Sequence, residues 1–424
     1  MIDWDIDSVR SRFPSLRRPG PDDQAVAWLD NAAGTQVVDS CLRAISDYLL
    51  ASNANHGVPN APSSETDELV HDVRQATADL LGATDGDEVS FGPNMTTITF
   101  ALSRAIGASL QAGDEIVVTR LDHDANVAPW LAVAEERDLV VRHVGIRLDD
   151  ATLDLDELER VMGPRTRLVA VGLVSNATGT INPVPSIANL ARAAGALLFV
   201  DAVAAVPHLP VDVESLGADY LVCSPYKFYG PHLGVLWGRR ERLERLPPFH
   251  VRPAGDAAPG RFETGTKAFE LLAGLGGTLR YLEKLGITQG GAPGLPGARD
   301  RLRRARLLAA MAAIRRYEAA LGSRLLERVA AVPGARIYGI SDPARASERC
   351  PTVAFTLGDH APAAVARSLG ERGIYVRNGD HYAWELHRAY GLDQRGGTVR
   401  VSLGHYNTPA EIERLGGALD ELAA

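Results

Sequence analysis

Polar and reactive side chains follow four short apolar segments of this 424-residue chain. Lys227 follows the apolar segment 220–223 and stands between Tyr226 and Phe228. A lysine among aromatic neighbours after a buried strand is uncommon unless it is paired or functional. Desolvation lowers the pKa of a lysine and makes its amine nucleophilic, which is what Schiff-base chemistry requires. Lys227 is therefore the first candidate for a catalytic residue.

The other three apolar segments also end in polar residues, among them His123, Asn176 and Asp201, while Ser224 directly follows 220–223. Ligands of open parallel sheets bind beyond the carboxyl ends of the strands, so we expect these residues to face one crevice. A lysine amine, an aspartate for a pyridinium nitrogen and small hydroxyl residues beside helix starts are the components of a pyridoxal-phosphate site. Each residue taken singly could instead be a helix cap, a turn residue or a buried polar group.

The elements that must position these residues alternate short apolar runs with helical periods between residues 28 and 238. This alternation predicts an α/β fold with a mostly parallel sheet covered by helices. The predicted strands are 87–91, 114–119, 139–144, 167–174, 196–200 and 220–223. The predicted helices are a periodic segment that ends before Gly82, then 96–110, 186–194 and 299–329.

A Gly- and Pro-rich stretch at 286–298 interrupts both periodicities and predicts a linker. We therefore expect an N-terminal arm over 1–27, a large cofactor-binding domain over 28–285 and a smaller α+β domain over 299–424.

Charge and cysteine usage exclude several classes of function. The net charge of -9 opposes binding to nucleic acids and to anionic membranes. The three cysteines, Cys41, Cys223 and Cys350, are far apart and give neither a disulfide framework nor metal-ligand spacing. The N-terminus lacks an apolar signal segment, and no stretch approaches 18 apolar residues. We expect a cytoplasmic protein without a metal site.

Longer motifs, spread along nearly the whole chain, resemble those of the class V aminotransferases, in particular the cysteine desulfurase and selenocysteine lyase branch of the fold-type I enzymes. Any one of them is weak, but together they are specific. The motifs are 28–33 (WLDNAA), 94–97 (NMTT), 122–126 (DHDAN), 174–180 (VSNATGT), 200–201 (VD) with 227–231 (KFYGP), 263–266 (ETGT), 399–403 (VRVSL) and 406–408 (YNT).

The resemblance implies pyridoxal 5'-phosphate as the cofactor and assigns a role to four residues around its ring. Lys227 would form the internal aldimine and later carry the proton at the substrate α-carbon. His123 would stack on the pyridine ring as the second catalytic residue. Asp201 would keep the ring nitrogen protonated, and Asn176 would bind the ring hydroxyl.

The same resemblance implies how the phosphate and the substrate are held. Thr96, Ser224 and Tyr226 are the phosphate candidates, with Tyr226 standing where the branch more often has a histidine. Thr266 would reach the phosphate of a partner subunit, which implies a homodimer. Arg400 would bind the carboxylate of a small amino acid substrate, because a planar guanidinium suits that contact.

The sequence departs from the branch in three further places. The segment 377–383 resembles the loop that carries the sulfur-accepting cysteine of cysteine desulfurases, and Arg377 and Tyr382 on it would contact the substrate. Tyr382 stands at the cysteine position, and a phenol cannot accept sulfur as a persulfide. Ala204 replaces a glutamine that is usual near the ring hydroxyl, and the segment 53–57 lacks an arginine often found there.

Three hypotheses follow. The favoured one is a cysteine desulfurase-like lyase that releases a β-substituent, as in C–S cleavage, without persulfide capture. The second is an aminotransferase or an epimerase with the same cofactor, since one fold serves all these reactions. The third is a non-catalytic scaffold of the same fold, which the complete set Lys227, Asp201, His123 and Asn176 disfavours.

Overall fold

The computed structural model describes residues 4–21, 24–294 and 299–424, except for the side chains of 299–301. The last four residues of the predicted linker, 295–298, lie outside this part of the chain.

The described residues contain thirteen strands, of which seven form one large sheet in the order β2-β8-β7-β6-β5-β3-β4. Neighbouring strands are parallel except for β8, which is antiparallel to both β2 and β7. All six predicted strands belong to this sheet, with ends shifted by at most two residues, which confirms the mostly parallel α/β fold. The strands are β1 (Ala27–Trp28), β2 (Val89–Gly92), β3 (Glu115–Thr119), β4 (Val140–Val144), β5 (Thr166–Gly172), β6 (Leu197–Asp201), β7 (Tyr220–Cys223), β8 (Gly234–Gly238), β9 (Ala335–Tyr338), β10 (Thr352–Leu357), β11 (Ile374–Tyr375), β12 (Arg377–Gly379) and β13 (Thr398–Ser402).

Fourteen α-helices lie in the described part of the chain, and none of them is long and apolar enough to cross a membrane. The helix predicted before Gly82 ends there, with that glycine in the left-handed conformation. The helices are α1 (Ile6–Arg10), α2 (Asp39–Ala51), α3 (Ala61–Leu81), α4 (Met95–Gly107), α5 (Ala128–Arg137), α6 (Leu155–Val161), α7 (Val184–Ala194), α8 (Val213–Leu216), α9 (Arg240–Leu243), α10 (Phe269–Thr288), α11 (Arg299–Ala330), α12 (Pro362–Glu371), α13 (Trp384–Ala389) and α14 (Pro409–Ala423).

The large sheet is buried on both faces, which explains why its strands read as nearly continuous apolar runs. Val169 and Val171 of β5 pack into the core on one face, and Leu168 and Ala170 pack into the core on the other. Helices therefore cover both faces, and only the ends of the strands are left to form a site.

The C-terminal part has a four-stranded antiparallel sheet in the order β12-β13-β10-β9. Helix α11 joins it to the large sheet, because Ile314 lies in the core of the large sheet and Leu325 lies in the C-terminal core. The α+β character of the C-terminal part agrees with the sequence prediction.

The structure differs from the predicted boundaries at two places, and the division into domains stays a prediction. Strand β1 pairs in parallel with β11, and Leu29 packs into the C-terminal core, although residue 28 was expected to begin the large domain. Helix α10 continues to Thr288 although the linker was expected from Gly286. A Cβ on Gly286 would lie 1.9 Å from the carbonyl oxygen of Arg306, so this glycine serves close packing of α10 against α11.

A buried arginine fastens the C-terminal part to a turn at the edge of the large sheet. The Arg349 guanidinium donates hydrogen bonds to the carbonyl of Thr178 at 2.9 Å and to the carbonyls of Ile340 and Thr352. These carbonyls lie in the buried interior, so each needs a donor.

We expect Arg349→Ala to lower the free energy of unfolding by about 3 kcal/mol, because three buried carbonyl groups lose their donor. Urea denaturation followed by tryptophan fluorescence measures the change. Arg367→Ala, at an exposed position of α12, is the matched control. It should change the free energy of unfolding by less than about 0.5 kcal/mol. Equal stability of the two variants would contradict this account.

Candidate active site

A cavity lies at the carboxyl ends of β3, β5, β6 and β7. Residues from all four predicted strand ends line it, as the sequence predicted, and Thr352 of β10 lines it from the C-terminal sheet. The predicted cofactor residues that line the cavity are Thr96, His123, Asn176, Asp201, Ser224, Tyr226 and Lys227.

Lys227 ends a short 3-10 helix, Pro225–Lys227, that follows β7. Its Nζ donates a hydrogen bond to the carbonyl of Ala32 and lies 4.8 Å from the centre of the Tyr226 ring. Burial and the nearby Arg400 guanidinium lower the pKa of Lys227 to about 7. A large fraction of the amine is therefore neutral and nucleophilic near pH 7.

His123 begins the turn after β3 and forms part of the cavity wall. Its Nδ1 accepts a hydrogen bond from the backbone N–H of Ala125 at 3.0 Å, which places the proton of the neutral ring on Nε2. Burial and the charge of Lys227 lower the pKa of His123 to about 4. The imidazole is therefore neutral at pH 7.

Two carboxyl groups lie at the adjacent strand ends. Asp201 ends β6 and accepts a hydrogen bond from the N–H of Val203 at 2.8 Å, and burial raises its pKa to about 6. Asp122 accepts one from the Thr119 hydroxyl at 2.7 Å, and burial raises its pKa to about 8. Near pH 7 Asp201 is mostly ionised and Asp122 mostly protonated, so a single negative charge faces the cavity.

Asn176 lines the cavity, and Arg400 contacts Asn176 without lining the cavity itself. The Asn176 side-chain nitrogen donates to the carbonyl of His381 at 2.7 Å, and its Oδ1 is buried without a partner among the described residues. Arg400 lies behind Asn176, donates to the Asn176 carbonyl at 2.9 Å and pairs with Asp30 at 3.1 Å. The Nε of Arg400 is likewise buried without a described partner.

The remaining predicted residues lie outside this cavity. Arg377 on β12 is half-exposed and pairs with Asp30 at 3.5 Å. Tyr382 borders a more open space at the mouth of the cavity, together with Thr96 and Tyr226. Thr266 lines a separate cavity with Phe91, so the fold does not bring it to Lys227 of the same chain.

Three polar residues of the site had no predicted role. Asp30 lies in the motif 28–33, but nothing in its spacing indicated a pair with Arg400. Asp122 stood among the strand-end residues, and only the structure shows that it is buried and interacts with Asp201. His208 lines the cavity and its Nδ1 lies 2.7 Å from the Glu318 carboxylate, a pair that joins residues 110 positions apart.

Comparison with known proteins identifies the family. The sequence profile of the Aminotransferase class-V family matches residues 27–292 and 303–415, which is most of the chain. The chain belongs to the class V aminotransferase family. Its relatives include a probable cysteine desulfurase from Streptomyces coelicolor, 34% identical over 99% of this chain and 97% of that protein. A cysteine desulfurase from Klebsiella pneumoniae is 34% identical over 99% of this chain and 98% of that protein.

Solved structures of cysteine desulfurases share the fold. The enzyme from Escherichia coli superposes with a TM-score of 0.82 at 26% identity, covering 99% of this chain and 98% of that one. The enzyme from Thermococcus onnurineus superposes with a TM-score of 0.83 at 28% identity, covering 97% of this chain and 98% of that one. The class V member described here is therefore a pyridoxal-phosphate-dependent enzyme related to cysteine desulfurases, as the motifs indicated.

The polar groups of the cavity fit pyridoxal phosphate. The unpartnered Oδ1 of Asn176 requires a donor such as a ring hydroxyl, and the Asp201 carboxylate can bind a protonated ring nitrogen. Helix α4 begins at the cavity, with Asn94 as its cap and Thr96 in its first turn, and Ser224 Oγ accepts from the Met95 N–H at 3.3 Å. A helix N-terminus with two hydroxyl groups is a suitable place for a phosphate.

The shifted pKa of Lys227 predicts how its reactivity depends on pH before the cofactor binds. The chain has three lysines, so labelling with formaldehyde and cyanoborohydride can be followed at each one by mass spectrometry. Only the neutral amine reacts, so labelling of Lys227 should rise from pH 6 to pH 8 with a midpoint of about 7. Lys284, exposed on α10, is the control for the reagent. Labelling of Lys227 that begins only above pH 9 would contradict the prediction.

Proposed function

We propose that this enzyme is a lyase that cleaves the bond to the β-substituent of a small amino acid, of the C–S type, without storing sulfur on a cysteine. The relation to cysteine desulfurases supports the substrate class. The location of the thiols carries the proposal that no cysteine stores sulfur: none of the three cysteines lines the cavity.

The three thiols are poor candidates for sulfur acceptors. Cys41, Cys223 and Cys350 are free and at most 1% exposed. Burial raises the pKa of Cys41 to about 11 and that of Cys350 to about 12, and it raises the pKa of Cys223 further. A sulfur acceptor must be an accessible thiolate, which none of these residues provides near pH 7.

The proposed roles of the cavity residues follow from their positions and charges. Bound pyridoxal phosphate supplies an electron sink that stabilises negative charge at the substrate α-carbon. The neutral amine of Lys227 removes the proton at that carbon, and the β-substituent leaves with the electron pair of its bond to the β-carbon. Asp201, ionised at neutral pH, holds a proton on the ring nitrogen, and the neutral His123 ring covers one side of the cavity.

We assign recognition of the substrate carboxylate to Arg400. Its guanidinium is held by Asp30 and by the Asn176 carbonyl, while Nε has no described partner. A planar guanidinium fixed in this way binds a carboxylate with directional, charge-assisted hydrogen bonds. Arg377 and Tyr382 lie nearer the surface, where the side chain of a substrate would enter.

We propose that the active unit is a homodimer in which Thr266 binds the phosphate held by the partner subunit, beside Thr96, Ser224 and Tyr226. Thr266 is exposed at the edge of an apolar cavity that is separate from Lys227. Phe249 and Val251, upstream on the same stretch of chain, are exposed as well. Burial of these apolar side chains by a second copy would stabilise the dimer.

Replacing all three cysteines together by alanine should leave the activity largely intact, whereas Lys227→Ala should abolish it. The holoenzymes are incubated with L-cysteine, S-substituted cysteines and β-chloroalanine, with L-alanine as the substrate that has no leaving group. The keto acid, the released substituent and the absorbance of the cofactor are followed together. Multiple turnovers with the cofactor unchanged support the lyase.

Three results would contradict the lyase proposal. Stoichiometric amination of the cofactor indicates an aminotransferase, inversion at the α-carbon without release of a substituent indicates an epimerase, and a persulfide on any cysteine indicates a desulfurase. Borohydride reduction of the holoenzyme should fix the cofactor on Lys227 and on neither of the other lysines.

Mixing two defective variants tests the composite site of the dimer. Thr266→Asp should weaken cofactor binding, because it brings a carboxylate to the phosphate, and Lys227→Ala is inactive. After dissociation and reassociation at equal amounts, about a quarter of the sites would combine an intact Lys227 with an intact Thr266. Activity should therefore return to about that fraction. No recovery, or full activity in a monomer, would contradict the arrangement, and Thr264→Asp is the matched control on the same loop.

A further inference from the structure

The loop that carries Tyr382 has an unusual backbone. His381 and Tyr382 are consecutive residues with φ of 56° and 58°, the left-handed region that residues with side chains seldom adopt. Such strain persists only where surrounding contacts determine the conformation. Contacts of this loop with its surroundings must therefore fix the conformation of His381 and Tyr382.

Hydrogen bonds tie this loop to two residues of the active site. The Tyr382 carbonyl accepts from the N–H of Asp124, which directly follows His123, at 2.7 Å. The His381 carbonyl accepts from the side-chain nitrogen of Asn176 at 2.7 Å. Because that nitrogen is engaged, the Asn176 Oδ1 is the atom left free to accept a hydrogen bond. The strained conformation thus directs the His381 carbonyl towards Asn176 and the Tyr382 carbonyl towards the N–H of Asp124, next to His123.

The Tyr382 ring lies on the outer side of His123. The two rings are nearly parallel, with an interplanar angle of 17° and centroids 5.4 Å apart. His123 borders both the Lys227 cavity and the open mouth, whereas Tyr382 borders only the mouth. The Tyr382 hydroxyl has no hydrogen bond to any residue that the structure describes, and its side chain is 66% exposed. The contact with the site is therefore made by the ring and not by the hydroxyl.

We infer that Tyr382 is a positioning residue: its ring covers the outer face of His123, and its loop holds His123 and Asn176 against the bound cofactor. The inference rests on the proposed place of His123 beside the cofactor. The imidazole is then fixed by the Ala125 N–H at Nδ1 and by an aromatic ring on its outer face. An offset stack of this kind restricts the tilt of the imidazole.

Three variants separate this role from a catalytic hydroxyl and from simple loop packing. Tyr382→Ala removes the ring, and Tyr382→Phe keeps the ring without the hydroxyl. Trp384→Ala, at an exposed aromatic residue two positions further on, is the matched control. The measurements are the equilibrium affinity of the cofactor-free protein for pyridoxal phosphate and the visible circular dichroism of the bound cofactor, both without substrate.

Tyr382→Ala should weaken cofactor binding by about 2- to 12-fold and change the circular dichroism, while the other two variants match the wild type. Thermal unfolding of the cofactor-free proteins verifies that each variant is folded. The inference is overturned if Tyr382→Ala leaves both measurements unchanged, or if Tyr382→Phe is as defective as Tyr382→Ala. Since no substrate is present, these outcomes are independent of whether the enzyme is a lyase.

Discussion

A buried guanidinium joins three distant parts of this chain and thereby creates the active site. Arg400 on β13 pairs with Asp30, just after β1, and donates to the carbonyl of Asn176 beyond β5. A buried charge without partners is strongly destabilising, so these three segments must come together in this arrangement or not at all. Two residues beyond Asp30, the Ala32 carbonyl accepts the hydrogen bond of Lys227. The segment around Asp30 therefore contacts both Arg400 of the C-terminal sheet and Lys227 of the cavity.

Within the cavity, burial moves Lys227, His123, Asp201 and Asp122 towards their neutral forms. It lowers the pKa of Lys227 to about 7 and that of His123 to about 4, and it raises those of Asp201 and Asp122 to about 6 and about 8. Burial thus gives the nucleophilic amine, the neutral imidazole and a protonated Asp122. The Val203 N–H and the charge of Lys227 limit the rise in the pKa of Asp201, which stays mostly ionised at pH 7. Ion pairing has the opposite effect at Glu115 on β3, where hydrogen bonds from Arg142 and Arg165 lower the pKa of the carboxyl group.

Membership of the class V aminotransferases determines the fold and the cofactor, but one fold supports several reactions at the substrate α-carbon. The choice among them depends on side chains that border the entrance. In this chain those positions carry Tyr382 and, at the cavity wall, Ala204, while all three thiols are buried elsewhere.

The sequence by itself determined the parallel sheet and the edge where chemistry occurs, since apolar runs and the polar residues after them are local patterns. Lys227, His123, Asn176 and Asp201 follow from that rule, and the sheet brings them to one cavity. Only the tertiary structure decided which distant residues contact one another. Asp30 and Arg400 are 370 positions apart, His208 and Glu318 are 110 apart, and Gly286 resembled a helix breaker until its contact with Arg306 was seen. Periodicity reports which face of an element is buried, whereas long-range pairing depends on how the elements pack, which no local pattern encodes.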